Sequence, residues 1–456
     1  METSENSQLI WKALDQLRGS LDAQDAELLL LTVTFLRCTA DAPEAATPES
    51  KRPWQRLVAE ANYLPGLARA LETTLASLTL SHPDGGERLI KSIPDHRLTG
   101  SLLAEVIRLI DRAEQPLELY EECLERFSHI KSAGNYFTPR SLVRLLVELL
   151  APQPGERVFD PACGSGGFLV ESARHVRERY GPQAEVGLAG RDINPRAWEI
   201  AWMNLTARRL KADLGGRPVD SLGLDDGADS DTFDVVLANP PFNLKYNNDL
   251  RRRHWRYGQP PKSNANFAWA QHVVSKLARR GRAAILLPDG ATFTAGSARL
   301  IREGLVCDDI LSAVVALPTG LFPHTGVKSS VWIFNREKPE ENRGQVLFVN
   351  AREQGTPARS RRRTFSEDDI ARIVDTYRSW SGNNQDKAGW CRSASVAEIA
   401  AQEFNLDADR YVGSPSEDLD PQHTEQRVAE LTRELFVHFE EAARLEDQLR
   451  DLLGQM

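Results

Sequence analysis

At 456 residues the chain is longer than one hydrophobic core supports, so two or three domains are expected. With 41% hydrophobic and 27% charged residues, its composition is globular and excludes wholesale disorder. A net charge of -9 excludes a protein that coats nucleic acid through a basic surface, so any such contact must be local or shared with a partner.

Residues 1–130 read as a helical domain, with apolar positions at three and four spacing through Ile10, Leu14 and Leu17 and again through Leu102, Val106, Ile107 and Ile110. The apolar run from Leu28 to Leu36 is broken by Thr32 and Thr34 and falls short of the roughly 20 residues a membrane span needs. With no basic-then-apolar leader, the expected location is cytoplasmic, away from membranes. Cys38, Cys123, Cys163, Cys307 and Cys391 form no CxxC pair, so reduced thiols and no metal site are expected.

Residues 131–345 change texture to short apolar runs between amphipathic helices, which predicts an α/β domain on a parallel sheet. Predicted strands are Arg157 to Asp160, Val186 to Asp192, Phe233 to Asn239, Ala283 to Pro288, Ala313 to Leu317 and Ser330 to Phe334. Predicted helices are Phe168 to Tyr180, Ala197 to Leu210 and Phe267 to Arg280. A small mixed region, 346–415, carries a basic patch at Arg359, Arg361, Arg362 and Arg363. In 416–456 an amphipathic helix is expected, with Val428, Leu431, Leu435, Ala442, Leu445, Leu449 and Leu452 in one heptad register. That seam either packs on its own domain or docks on a partner helix.

The segment DPACGSGGF, from Asp160 to Phe168, joins a predicted strand to a predicted helix. Glycines there let the backbone turn and approach a ligand, and the helix start offers free amides. The phosphate-gripping GxxxxGK[ST] pattern is missing, while the next strand ends in Asp192, spaced to hold ribose hydroxyls. Asp160, a carboxylate at a strand end, suits the ammonium group of a methionine moiety. Together these features favour an adenosyl ligand.

Asn239, Pro240, Pro241 and Phe242 follow the next apolar run. Neither proline has an amide donor, so the chain must leave the sheet there on a stiff tip. An adenine amino group is a poor nucleophile because its lone pair is delocalised into the ring. The Asn239 side-chain oxygen and the Pro240 carbonyl can hold its two hydrogens, and Phe242 can stack on a base taken out of the duplex. In-line displacement from a sulfonium then draws much of its rate from positioning. Asp220, expected on the third strand, either helps orient the base or is an exposed turn carboxylate.

These segments, with NYFTPR (Asn135, Tyr136, Phe137, Thr138, Pro139 and Arg140) and RYGQPPKSNANF (Arg256 to Phe267), resemble the adenine-specific methyltransferase subunit of type I restriction-modification systems. The resemblance implies a class I S-adenosylmethionine-dependent, Rossmann-like sheet with a helical N-terminal domain and a C-terminal helix. It further implies that S-adenosylmethionine is held by the NYFTPR residues, by Ser165, Gly166 and Gly167, and by Asp192, with Asn239 to Phe242 on the target adenine; Asp160, Ala162, Gly164 and Asp220 complete the expected cofactor site. The implied partners are double-stranded DNA, a specificity subunit, a second copy of the chain and a restriction subunit. Two departures stand out: Asp192 is where the family commonly has glutamate, and Val219 to Leu222 replaces a GDSL-like stretch.

After Phe242, Lys245, Arg251, Arg252, Arg253, Arg256 and Lys262 surround a single acid, Asp249, with Tyr246, Trp255 and Tyr257 interleaved. This pattern suits a DNA backbone beside an extruded base, or a solvated loop. No sizeable base-reading module follows the sheet, which delegates sequence choice to a separate subunit. A methyltransferase of RNA or of protein glutamine, and a catalytically silent assembly subunit with the same fold, remain as rivals.

Overall fold

The computed structural model describes residues 5–40, 52–61, 66–79, 99–128, 137–223, 232–245, 254–322, 326–357, 363–381, 386–413 and 432–433. The predicted C-terminal heptad helix lies outside these, apart from two residues.

Among the described residues, α1 (Glu5–Leu17), α2 (Ala23–Ala40), α3 (Arg52–Glu60), α4 (Leu67–Thr79), α5 (Gly100–Asp111), α6 (Pro116–Ser128) and α7 (Arg140–Leu150) precede the sheet. The apolar run from Leu28 to Leu36 is the axis of this bundle: Leu28, Leu29, Leu30, Leu31 and Phe35 of α2 are wholly buried. Helices α1, α5 and α6 all pack on it. The Thr32 and Thr34 hydroxyls donate back to the Leu28 and Leu30 carbonyls at 2.8 and 2.9 Å, which satisfies them without solvent. No helix among the described residues is long and apolar enough to cross a membrane.

The alternating part begins with β1 (Arg157–Asp160), α8 (Gly167–Tyr180), β2 (Gly187–Gly190), α9 (Pro195–Ala207), β3 (Ala212–Asp213) and β4 (Phe233–Ala238). It continues through α10 (Asn266–Ser275), β5 (Leu277–Pro288), α11 (Gly290–Phe293), α12 (Ser297–Cys307), β6 (Leu311–Ala316), β7 (Ser329–Asn335) and β8 (Gln345–Asn350). A small ribbon of β9 (Thr356–Pro357) and β10 (Arg363–Thr364) precedes α13 (Glu367–Arg378), β11 (Cys391–Ser395), α14 (Val396–Ala401) and α15 (Asp409–Val412).

Among the described residues, nine strands form one sheet in the order β11-β8-β6-β7-β5-β4-β1-β2-β3. Strand β1 is parallel to both β2 and β4, β4 is parallel to β5, and β7 runs antiparallel between β5 and β6. The strand order reverses between β1 and β4, and in such sheets ligands bind outside the carboxyl ends of the strands at that reversal. This is the expected α/β architecture. Strands β8 and β11 lengthen the sheet, so residues beyond 345 continue it instead of standing apart.

Two predicted elements differ. The helix expected over Phe267 to Arg280 ends at Ser275, and β5 starts two residues later. Pairing of Leu277 with Phe233 of β4 draws the segment into the sheet, and at Gly281 the backbones come so close that a Cβ would lie 2.7 Å from the Phe233 carbonyl oxygen. Asp220 is not on a strand: β3 pairs with β2 only through Ala212 and Asp213, and the chain then leaves the sheet.

Candidate functional site

Strand β1 delivers Asp160 to the base of the glycine loop, 1% exposed, with Oδ1 accepting the Ala162 N–H at 3.0 Å. Burial pushes this carboxyl well above the usual carboxylate range; the Ala162 amide pulls it back less, and the nearby Asp192 carboxylate adds to the rise. Gly166 takes φ +78 at the start of α8, a left-handed conformation in which glycine avoids strain.

Asp192 closes the loop from the β2 side. Its Oδ2 accepts from the Gly164 N–H at 2.9 Å and its Oδ1 from the Asn194 N–H at 2.8 Å. Burial raises its pKa, and these two amides oppose the rise. Each oxygen keeps a second lone pair for a ligand hydroxyl. The segment after β3 docks on the same loop: the Val219 N–H donates to the Asp192 carbonyl at 2.9 Å and the Ser221 hydroxyl to the Pro161 carbonyl at 2.6 Å. Asp220 thus stands beside the glycine loop, its Oδ1 accepting from the Leu222 N–H at 3.0 Å. Ser165 is buried, and its carbonyl accepts from the Asn204 side chain at 2.7 Å.

Asn135 and Tyr136 lie outside the described residues. Phe137 packs edge-on against Phe127 of α6 with ring centroids 6.0 Å apart. The Pro139 carbonyl accepts the first amides of α7, from Leu142 and Val143. Arg140 is exposed and donates to Glu121 of α6 at 3.0 Å. Between them, the Thr138 hydroxyl oxygen accepts from Asn239 Nδ2 at 3.0 Å. The FTP segment therefore bridges the helical bundle and the tip of β4.

At that tip Asn239 is half-buried, Pro240 buried, Pro241 exposed and Phe242 half-buried. Phe242 meets Phe322 edge-on, with centroids 5.5 Å apart and planes at 77°. The next residue, Asn243, has φ +54 and is clasped by Asn266 at the start of α10. The Asn243 N–H donates to Asn266 Oδ1 at 3.0 Å, and Asn266 Nδ2 donates back to Asn243 Oδ1 at 2.9 Å. Asn266 is 4% exposed, so this reciprocal amide pair is a buried brace for the turn. The roles of Asn266 and Phe322 escaped the sequence reading; the amide-rich end of the RYGQPPKSNANF run was the available signal.

The basic and aromatic loop departs from expectation at three described positions. Trp255 is core, 9% exposed. The Tyr257 hydroxyl donates to Asp308 at 2.9 Å, and Arg256 pairs with the same carboxylate at 2.7 Å. These side chains anchor the loop on α12, because a large ring gains more by burial than by facing water. Tyr246 to Arg253 lie outside the described residues. Arg363 of the other basic patch donates to the Gln354 carbonyl at 3.1 Å, a local loop contact.

A glycine loop after β1 and an Asn-Pro-Pro-Phe turn after β4 thus leave the carboxyl ends of neighbouring parallel strands where the strand order reverses. Residues 117–420 match the N-6 DNA Methylase family. The chain belongs to that family. It is 38% identical over 344 residues to the type I restriction enzyme HindI methylase subunit of Haemophilus influenzae, covering 74% of this chain and 77% of that protein. It is 34% identical over 354 residues to the MjaIX methylase subunit of Methanocaldococcus jannaschii, covering 74% of this chain and 62% of that protein. A solved type I restriction-modification methyltransferase subunit from Streptococcus thermophilus shares the fold, with a TM-score of 0.75 at 22% identity over 89% of this chain and 98% of that one. The methylase is accordingly an S-adenosylmethionine-dependent enzyme of DNA adenine methylation.

The buried carboxylates of Asp160 and Asp192, both with raised pKa, suit a cationic adenosyl ligand, since an ammonium and a sulfonium offset their burial. Asp192 is also fastened to the loop by the Gly164 amide, a contact hidden from the sequence.

Proposed function

We propose that this chain is the methylating subunit of a type I restriction-modification assembly, moving a methyl group to N6 of an adenine turned out of double-stranded DNA. The supporting observation is the Asn239 amide: its Nδ2 is engaged by Thr138, while nothing among the described residues donates to its Oδ1. Asn239 Oδ1 and the Pro240 carbonyl accept the two N6 hydrogens, and the Phe242 face receives the base, backed by Phe322. S-adenosylmethionine, when bound, supplies a methyl on a sulfonium open to in-line displacement. Asp160 and the loop Ala162, Gly164, Ser165, Gly166 and Gly167 hold its methionine end, Asp192 its ribose and Asp220 its adenine side, with the Asn135 to Arg140 segment covering it.

Sequence choice resides in a separate specificity subunit, which joins two copies of this chain and, in the restricting form, a restriction subunit. The heptad seam from Val428 to Leu452 is the proposed tether. Transfer of tritiated methyl groups to plasmid DNA tests the reading: label should enter site-specifically only when the specificity subunit is present. No label with that subunit present would make the chain a silent assembly component. Leu431→Asp with Leu445→Asp should abolish co-purification with the specificity subunit and leave cofactor affinity intact; normal assembly would move the tether elsewhere.

A further inference from the structure

We propose that Thr138 is a positioning residue for the methyl transfer, setting which edge of the Asn239 amide faces the target amine. The inference rests on the acceptor role of Asn239 given above. A side-chain amide has an accepting edge and a donating edge, and only the accepting edge can hold a hydrogen of the N6 amine. A half-turn about the last side-chain bond of Asn239 would present N–H to N–H, which repels.

The neighbourhood decides between the two orientations. Asn239 follows a strand locked between β1 and β5, and the proline pair fixes its backbone, leaving its terminal torsion as the free variable. Thr138 Oγ1 lies 3.0 Å from Nδ2 and takes up the donating edge, which leaves Oδ1 for the target amine. The hydroxyl is carried on the FTP segment just before α7. That segment is pinned on both sides, by Phe137 against Phe127 and by the Pro139 carbonyl on the first amides of α7. The helical bundle therefore reaches the reacting atoms through one hydroxyl. A contact of this kind lowers the barrier without being needed for cofactor retention, which separates it from the cofactor-covering role of the same segment.

The test compares Thr138→Val, Thr138→Ser and Asn239→Ala in the full chain with its specificity subunit, on plasmid DNA. Turnover at saturating S-adenosylmethionine, cofactor Kd by calorimetry and thermal unfolding are read for each. The expected result for Thr138→Val is a fall in turnover of about tenfold, the worth of one oriented hydrogen bond, with cofactor Kd within about twofold. Thr138→Ser restores turnover because it restores the hydroxyl. Unchanged turnover in Thr138→Val overturns the proposal, as does a loss confined to cofactor Kd, which would make Thr138 a cofactor contact. If Thr138→Val unfolds, a Thr138→Ser variant that keeps its fold and cofactor Kd yet stays as slow as Asn239→Ala overturns it too. Full activity in Asn239→Ala would instead sink the acceptor reading beneath it.

Discussion

At the scale of single residues, Asn239 and Asp160 make opposite demands on the protein. Asn239→Ala should leave cofactor Kd within about twofold and cut transfer by about a hundredfold or more, because the lost acceptor acts mainly on the developing positive charge of the amine. Calorimetry beside rate measurements checks this, and parallel losses in both would assign Asn239 to cofactor binding. Phe242→Ala should weaken capture of the flipped base while Phe242→Trp retains more, since base stacking contributes roughly 1 to 3 kcal/mol. Asp160 is a buried acid whose folded pKa is raised, so its ionisation opposes folding: the stability it permits is full below the ordinary carboxylate range and declines as pH climbs through the raised value. Asp160→Asn should therefore raise the melting temperature of the cofactor-free protein at neutral pH. Cofactor affinity should fall roughly tenfold to a hundredfold through loss of a charged partner for the ammonium. A destabilised variant with unchanged cofactor affinity would show that Asp160 is structural.

At the scale of elements, helix α7 is tied to α8 and α13 through one carboxylate. Glu148 near its end accepts from Arg179 of α8 at 2.6 Å, lies 3.1 Å from His175 Nδ1 and is approached by Arg378 of α13 at 3.4 Å. The His175 contact, with Arg179 and Arg378, lowers its pKa from 4.5 to about 2 against the opposing effect of burial. A lowered acid stabilises the fold above its unfolded pKa and loses that contribution as pH falls through the folded value, here between about 4.5 and about 2. Glu148→Gln should cost about 1 to 3 kcal/mol near neutral pH and flatten the acid limb of the stability curve, read by denaturant unfolding across pH. An unaltered acid limb would mean that α7, α8 and α13 are held together by packing alone.

At the scale of the whole molecule, the helical bundle and the sheet share one core. Buried residues run without a break from Leu9 through Leu31 and Phe35 to Leu146, Trp202, Leu237 and Ile333. Phe35 of α2 meets Trp202 of α9 edge-on at 5.4 Å, and Arg208 beyond α9 pairs with Glu121 of α6 at 2.7 Å. Phe35→Ala should cost about 3 to 5 kcal/mol and lower the melting of the entire chain in a single calorimetric transition. Two separated transitions would make the bundle an independent unit.

The sequence by itself determined the α/β class, the glycine loop and the Asn239 to Phe242 turn, because each is a local matter: glycine where φ is positive, paired prolines where a strand must stop, acids at strand ends. Periodicity misread the start of β5, since Leu277 to Arg280 carry helical spacing while pairing with neighbouring strands decides their conformation. It placed Asp220 on a strand for the same reason, sheet pairing being a property of two segments and not of one. Trp255 and Tyr257 looked outward because aromatic residues beside arginines signal nucleic acid, yet Trp255 joins the core and Tyr257 packs against Gly304 of α12. The brace of Asn243 by Asn266 and the hand of Thr138 on Asn239 join residues 23 and 101 positions apart. No window of sequence contains such pairs; only closure of the chain around a common core brings their amide and hydroxyl groups within hydrogen-bond reach.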